Sequence, residues 1–210
     1  HPVTISASGA GSVSLTGFTS NPSTLENHGV FFEEGTQAIS TQNGALSITG
    51  KGSGTNGYGI AFQHAASTNN TTIGSATQTG NIDITADSML FVATTNATIQ
   101  GAGNLTFKPL TNSTPIEFGA SGPLTKLVVP SAAFGSQIAD GFSQINIGST
   151  SGSGAISTTT DLTARDNLAI IGGSGPIQIS NVINAGSNTL TLNSSTSITE
   201  SGAGSITADK

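Results

Sequence analysis

Three places in the 210-residue chain bring acidic side chains together or beside a cation, Glu33 with Glu34, Asp83 with Asp87, and Asp161 with Asp166 flanking Arg165, and Asp140 stands alone as a fourth candidate. Cleaving a polysaccharide takes two carboxylates that trade a proton, or a carboxylate cluster beside Arg or Lys, all on one face. Asp83 alternates with Ile82 and Ile84, which turns it outward, where an acid on a neighbouring strand would complete a pair. Asp161, Arg165 and Asp166 flank strands and read as turn acids with a local ion pair. Solvated surface charge is the simpler account of every one of these acids, and no enzyme is expected.

His28 and His64 lie among so many serines that proximity in sequence carries no weight. The Gly/Ser stretches Gly50-Lys-Gly-Ser53-Gly54 and Gly172-Gly-Ser174-Gly175 are turns and not the strand-to-helix elbow of a hydrolase. Cysteine is absent, so disulfides, thiolate metal sites and a thiol nucleophile are excluded. Neither the calcium-binding nonapeptide nor the EF-hand loop is present, leaving at most a lone surface Ca²⁺ on Asp140 or Asp87. No Gly-Lys-Ser/Thr sequence opens a helix, so no cofactor is expected. Asn-x-Ser/Thr sequons at Asn69, Asn70, Asn96, Asn104, Asn112 and Asn193 are what a chain rich in Asn and Thr produces by chance.

The elements that hold these residues are legible in the composition. Ser, Thr, Asn and Gly make up about half of the chain, charged residues only 8%, isoleucine outnumbers leucine, and strong helix formers are scarce. That balance favours pleated backbone, with enough Ile, Leu, Val and Phe to fold. The net charge is −6, and the five cations Lys51, Lys108, Lys126, Arg165 and Lys210 are scattered, which excludes a nucleic-acid surface. The apolar runs, Met89 to Val92 and Leu127 to Val129, are too short for a membrane span. The chain opens at His1-Pro2 without a leader, which reads as a processed or excised piece.

One pattern recurs, Gly-x-apolar-x-apolar: Gly11-Ser-Val13-Ser-Leu15, Gly44-Ala-Leu46-Ser-Ile48, Gly80-Asn-Ile82-Asp-Ile84 and Gly103-Asn-Leu105-Thr-Phe107. It returns at Gly154-Ala-Ile156, Gly175-Pro-Ile177-Gln-Ile179, Asn188-Thr-Leu190-Thr-Leu192 and Gly204-Ser-Ile206. Each copy is a short strand with one apolar face that cannot bury itself. Stacking the copies gives a continuous interior, so the expected fold is all-β: a parallel β-helix, or solenoid, over 1–210. With roughly 20 residues per turn it has about ten layers and a length of roughly 45 to 50 Å. Irregular segments fall near 21–35 and 108–139, the second holding Pro109, Pro115, Pro123 and Pro130. A β-sandwich is the alternative; its hairpins would start at Asn43-Gly44 and Asn56-Gly57.

The segment Asp140-Gly-Phe142-Ser-Gln-Ile145-Asn-Ile147-Gly148 with Gly152-Ser-Gly154-Ala-Ile156, and the strands of Gly-Asn-Ile-x-Ile-Thr type, resemble filamentous-haemagglutinin-like large exoproteins. The resemblance implies a right-handed coil, extracellular placement, and export by two-partner secretion through an outer-membrane transporter. The only Asn-Pro is Asn21-Pro22-Ser23-Thr24, so the likeness is to the repeat shaft and not to the family's secretion domain. The expected work is structural and adhesive: a rigid rod for attachment to a host or neighbouring cell surface, or to glycans. A polysaccharide lyase or hydrolase and an end-to-end self-assembling fibre subunit are the alternatives. Recognition is expected at Phe31, Phe32, Glu33, Glu34 and Tyr58, since insertions on a regular scaffold commonly carry binding.

Overall fold

The structure is a computed structural model and describes residues 2–20, 26–33, 35–63, 70–91, 96–120 and 122–209. It is all-β, with a single turn of 3-10 helix at Ser131–Ala133 among the described residues. The longest sheet has seven strands: β2 (Val13–Phe18), β5 (Leu46–Lys51), β8 (Ile82–Ala86), β11 (Asn104–Lys108), β14 (Gln144–Gly148), β17 (Leu168–Gly173) and β20 (Leu190–Ser194). A four-stranded sheet takes β1 (Val3–Ala7), β4 (Thr36–Thr41), β7 (Asn70–Gly74) and β10 (Asn96–Gln100), and a three-stranded one β3 (Val30–Phe32), β6 (Ile60–Phe62) and β9 (Met89–Phe91).

Later in the chain a five-stranded sheet runs in the order β13 (Leu127–Pro130), β12 (Ile116–Gly119), β15 (Ile156–Thr158), β18 (Ile177–Ile179) and β21 (Ile198–Glu200). A last sheet holds β16 (Leu162–Thr163), β19 (Val182–Asn184) and β22 (Ser205–Thr207). Every paired strand is parallel. Neighbours within the seven-stranded sheet are three strands apart in chain order. The sandwich with its hairpins is therefore not what forms: Asn43-Gly44 joins two strands of different sheets, and the only antiparallel contact among the described residues is an isolated bridge between Asn27 and Ser53.

The register explains why strands this short are stable. Val13, Leu46, Ile82, Leu105, Ile145, Leu168 and Leu190 lie one above the next, and so do Leu15, Ile48, Ile84, Phe107, Ile147, Ile170 and Leu192. Leu46, Ile48, Ile82 and Leu105 are fully buried, whereas Val13, Leu15, Leu190 and Leu192, at the two ends of the columns, are only partly so. Each interior rung removes about 1.5–3 kcal/mol worth of apolar side chain from water per residue, but only with a rung on both sides. An aromatic column does the same on the smallest early sheet, where Phe32, Phe62 and Phe91 are in register with ring centroids 4.9 and 4.7 Å apart.

The glycine of the repeat has a different task from the turn role its position implies. A β-carbon on Gly44 would overlap the backbone oxygen of Gly11, and one on Gly80 would overlap that of Gly44. On Gly103 it would sit 2.7 Å from the oxygen of Gly80. None of these glycines has a positive φ. They are required because successive layers approach too closely for any side chain.

Two expectations need adjusting. The longest sheet has seven strands and not about ten layers, because the return varies from 22 residues (Leu168 to Leu190) to 40 (Leu105 to Ile145). The segment 108–139 supplies two strands, β12 and β13, that pair with each other in parallel although only seven residues separate them. Around this segment two of the sheets change partners: β13 lies against β9, and Ile99 of β10 is bridged to Ile138. Pro130 ends β13 at the margin of its sheet, where a missing N–H costs no ladder bond.

Candidate functional site

The irregular segments meet on one side of the stack. His28, in the segment leading into β3, is buried at 8% exposure, and its Nδ1 accepts the backbone N–H of Tyr58 at 3.0 Å. Its ring lies 4.6 Å from that of Phe31 and 5.9 Å from that of Tyr58. Tyr58 in turn donates its hydroxyl to the carbonyl of Gly122 at 3.4 Å, across 64 residues. The loop after β12 thus folds back over the turn between β5 and β6. Lys126 of that loop pairs with Glu117 of β12 at 2.7 Å, which ties the loop's far end to its own sheet.

Beside Tyr58 this arrangement leaves a cleft of about 250 Å³ lined by Lys51, Gly52, Ser53, Gly54, Gly57, Gly59, Asp87, Ser88 and Leu124. Four of these residues are glycines, of which Gly57 and Gly59 are buried. Lys51 is exposed at the end of β5, and Asp87 follows β8. The Asp87 carboxylate accepts the backbone N–H of Thr111 at 2.7 Å and the hydroxyls of Thr111 and Thr114 at 2.7 and 3.0 Å. Ser88 Oγ accepts the Gly59 N–H at 3.2 Å, which leaves its own proton to point elsewhere. An ammonium, a carboxylate edge, hydroxyls and one apolar wall from Leu124 are what a polyol ligand needs. A larger apolar pocket of about 400 Å³ lies where the sheets change partners, between Phe91, Ala120, Pro130 and Thr160.

Of the residues expected to recognise a ligand, Phe31 is exposed at 36%, Glu33 is exposed, and Tyr58 is half-buried between Gly57 and Gly59, which line the cleft. Phe32 is corrected: it points inward at 4% exposure and stacks on Phe62, because alternation along β3 puts Val30 and Phe32 on the core face and Phe31 outside. Glu34 and His64 lie outside the described residues. The sequence reading named Asp87 only as a candidate acid or calcium ligand and Lys51 only as one of the scattered cations, and it passed over Leu124; that they share a cleft was not legible, since they come from three separate stretches and share no motif.

Among the described residues, the acids read as candidate pairs are not brought together by the strand register. Asp83 has Ser47 and Thr106 as its register neighbours, so the acid expected on an adjoining strand is not there. Asp161 accepts the Val182 N–H at 3.0 Å, and Asp166 accepts the Gly141 N–H at 3.0 Å. Arg165 makes no ion pair with either among the described residues, against the local pair expected, because Asp166 is buried while Arg165 is exposed. Asp140 is exposed, and no group of three or more metal-ligating side chains occurs among the described residues. Of the sequon asparagines, Asn70, Asn96, Asn112 and Asn193 are exposed and Asn104 is partly covered, while Asn69 lies outside the described residues. No helix is long and apolar enough to cross a membrane among the described residues.

The chain matches no protein-family model, no curated protein and no solved structure.

Proposed function

We propose that the chain is one right-handed, three-faced parallel β-helix serving as a structural and adhesive segment of a secreted or surface-attached exoprotein. Strands recur in threes: the four-stranded and last sheets precede the long sheet and the early three-stranded and five-stranded sheets follow it, except at β14, which β13 of the five-stranded sheet precedes. The observation that carries the reading is the in-register column from Val13 to Leu190, a backbone-and-aliphatic stack in which each layer is bonded to the next along the long sheet and along its companion sheets except where these hand over near 108–139. The low charge supports it, since repeated layers would otherwise pile like charges above one another. Export through an outer-membrane partner, as filamentous-haemagglutinin-like proteins use, belongs to the same proposal.

Attachment is assigned to the cleft beside Tyr58, whose mixed lining suits a sugar. Its test is direct. Beads carrying the purified chain are flowed over immobilised neutral glycans and over cells, with a Lys51→Ala, Leu124→Ala variant as control. Retention that the variant lowers at least tenfold is expected. Retention no better than that of an inert protein of similar size, or release of soluble sugar from the surface, would overturn the adhesive reading.

A further inference from the structure

The contacts of His28 join three stretches of chain through two hydrogen bonds. Because Nδ1 accepts the Tyr58 amide, the neutral ring carries its proton on Nε2. That Nε2 is buried and has no hydrogen-bond partner; Glu26 Oε2 lies 3.8 Å away, an electrostatic distance only. Tyr58 then holds Gly122 through its hydroxyl. Gly122 packs on Val128 so closely that no β-carbon would fit, so the loop 122–126 sits flush on β13.

A second proton on this ring has one place to go, Nδ1, and there it meets the N–H of Tyr58. Two donors cannot face one another, so either the ring or the turn must move. The charges acting on the ring are Glu26 and Glu33 of its own segment. The turn contributes Tyr58, and Lys126 of the covering loop is already engaged by Glu117. Glu26 lies on the Nε2 side, so a charged ring is drawn away from Tyr58.

We propose that His28, Tyr58 and Gly122 form an acid-sensitive latch: protonating Nδ1 of His28 expels the Tyr58 amide, shifts the Tyr58 ring away from Gly122 and loosens the covering loop above the cleft, while the bonds from Gly29 and Val30 to the carbonyls of Tyr58 and Gly59 and from Ser53 to that of Asn27 keep the turn in place. Burial opposes the charged ring and sets its pKa below the ordinary histidine value, so the latch is closed in neutral solution. This inference concerns the motion of the Tyr58 ring and the covering loop and stands apart from what the cleft binds.

The chain contains one tyrosine and no tryptophan, so tyrosine emission and its near-ultraviolet dichroism report on Tyr58 alone. The experiment titrates the full 210-residue chain from pH 8 to pH 4, following that emission together with the imidazole NMR signals of His28. A reversible step is expected at the pH where His28 takes up its proton, below 6.5. Glu26→Gln is expected to move both midpoints together to lower pH, by removing the charge that favours the imidazolium, a shift that a merely structural histidine would not give. His28→Gln, if it folds, is expected to lose the step. An emission step unaltered in either variant, or protonation of His28 with no change at Tyr58, would overturn the latch.

Discussion

Gly80 lies directly over the carbonyl of Gly44, one layer away, at a separation that leaves no room for a methyl group. The same relation links Gly44 to Gly11 and Gly175 to Gly154. The repeated glycine is thus a record of layer spacing.

Gly80→Ala is expected to destabilise the chain by about 1–3 kcal/mol or more, because the added carbon meets backbone, which cannot step aside as a side chain would. Urea unfolding followed by far-ultraviolet dichroism measures it. Ser14→Ala, on the exposed outer surface of β2, serves as the comparison and should change stability by less than about 0.5 kcal/mol.

Position along a column should decide the cost of truncation. Ile48 is fully buried between two layers, and its replacement by Ala is expected to cost about 2–5 kcal/mol. Ile198 is 43% exposed on the last strand of its sheet, and the same change there is expected to cost less than about 1 kcal/mol. Equal losses at the two sites would contradict the stacked interior.

Asp87 is the anchor of the segment after β11. Removing its carboxylate in Asp87→Ala releases three donors on Thr111 and Thr114, for an expected loss of about 1–3 kcal/mol. Faster amide hydrogen exchange is expected at Thr111, with the amides of β8 unchanged. The comparison separates a local anchor from a general loss of stability.

His28 also gives stability a pH dependence. Its folded pKa is lowered by burial, so between that value and 6.5 the unfolded chain binds more protons than the folded one. Its contribution is complete above pH 6.5 and is lost progressively as pH falls toward the folded value. Urea midpoints measured from pH 7.5 to 5 should fall with acidity, and His28→Gln should flatten that dependence.

Much of the scaffold was legible because strand periodicity is local. Leu46 with Ile48, Ile82 with Ile84 and Leu105 with Phe107 are each an inward pair read from a few residues, and all three stack as expected. What the pattern did not reveal is which sheet a copy joins. Ile156 and Ile177 belong to the five-stranded sheet and Ile206 to the last one, whereas β14 and β17 enter the long sheet with Ser143 and Asp166 where the repeat has glycine. The candidate site was less legible. Phe31 and Phe32 are neighbours of one type with opposite fates, set by the alternation of a strand whose boundaries the sequence leaves open. His28 meets Tyr58 only because a variable-length return places them one layer apart, and no local signal encodes that length.

The long sheet is the one element that continues unbroken past the segment 108–139, where both of its companions hand over to new sheets. A pull along the stacking axis is therefore carried at that level by two ladders per seam, β7–β10 with β8–β11 and then β11–β14 with β12–β15. Under tension the molecule should part there first, splitting into an early and a late block, so resistance to force is set by its narrowest seam and not by its number of strands.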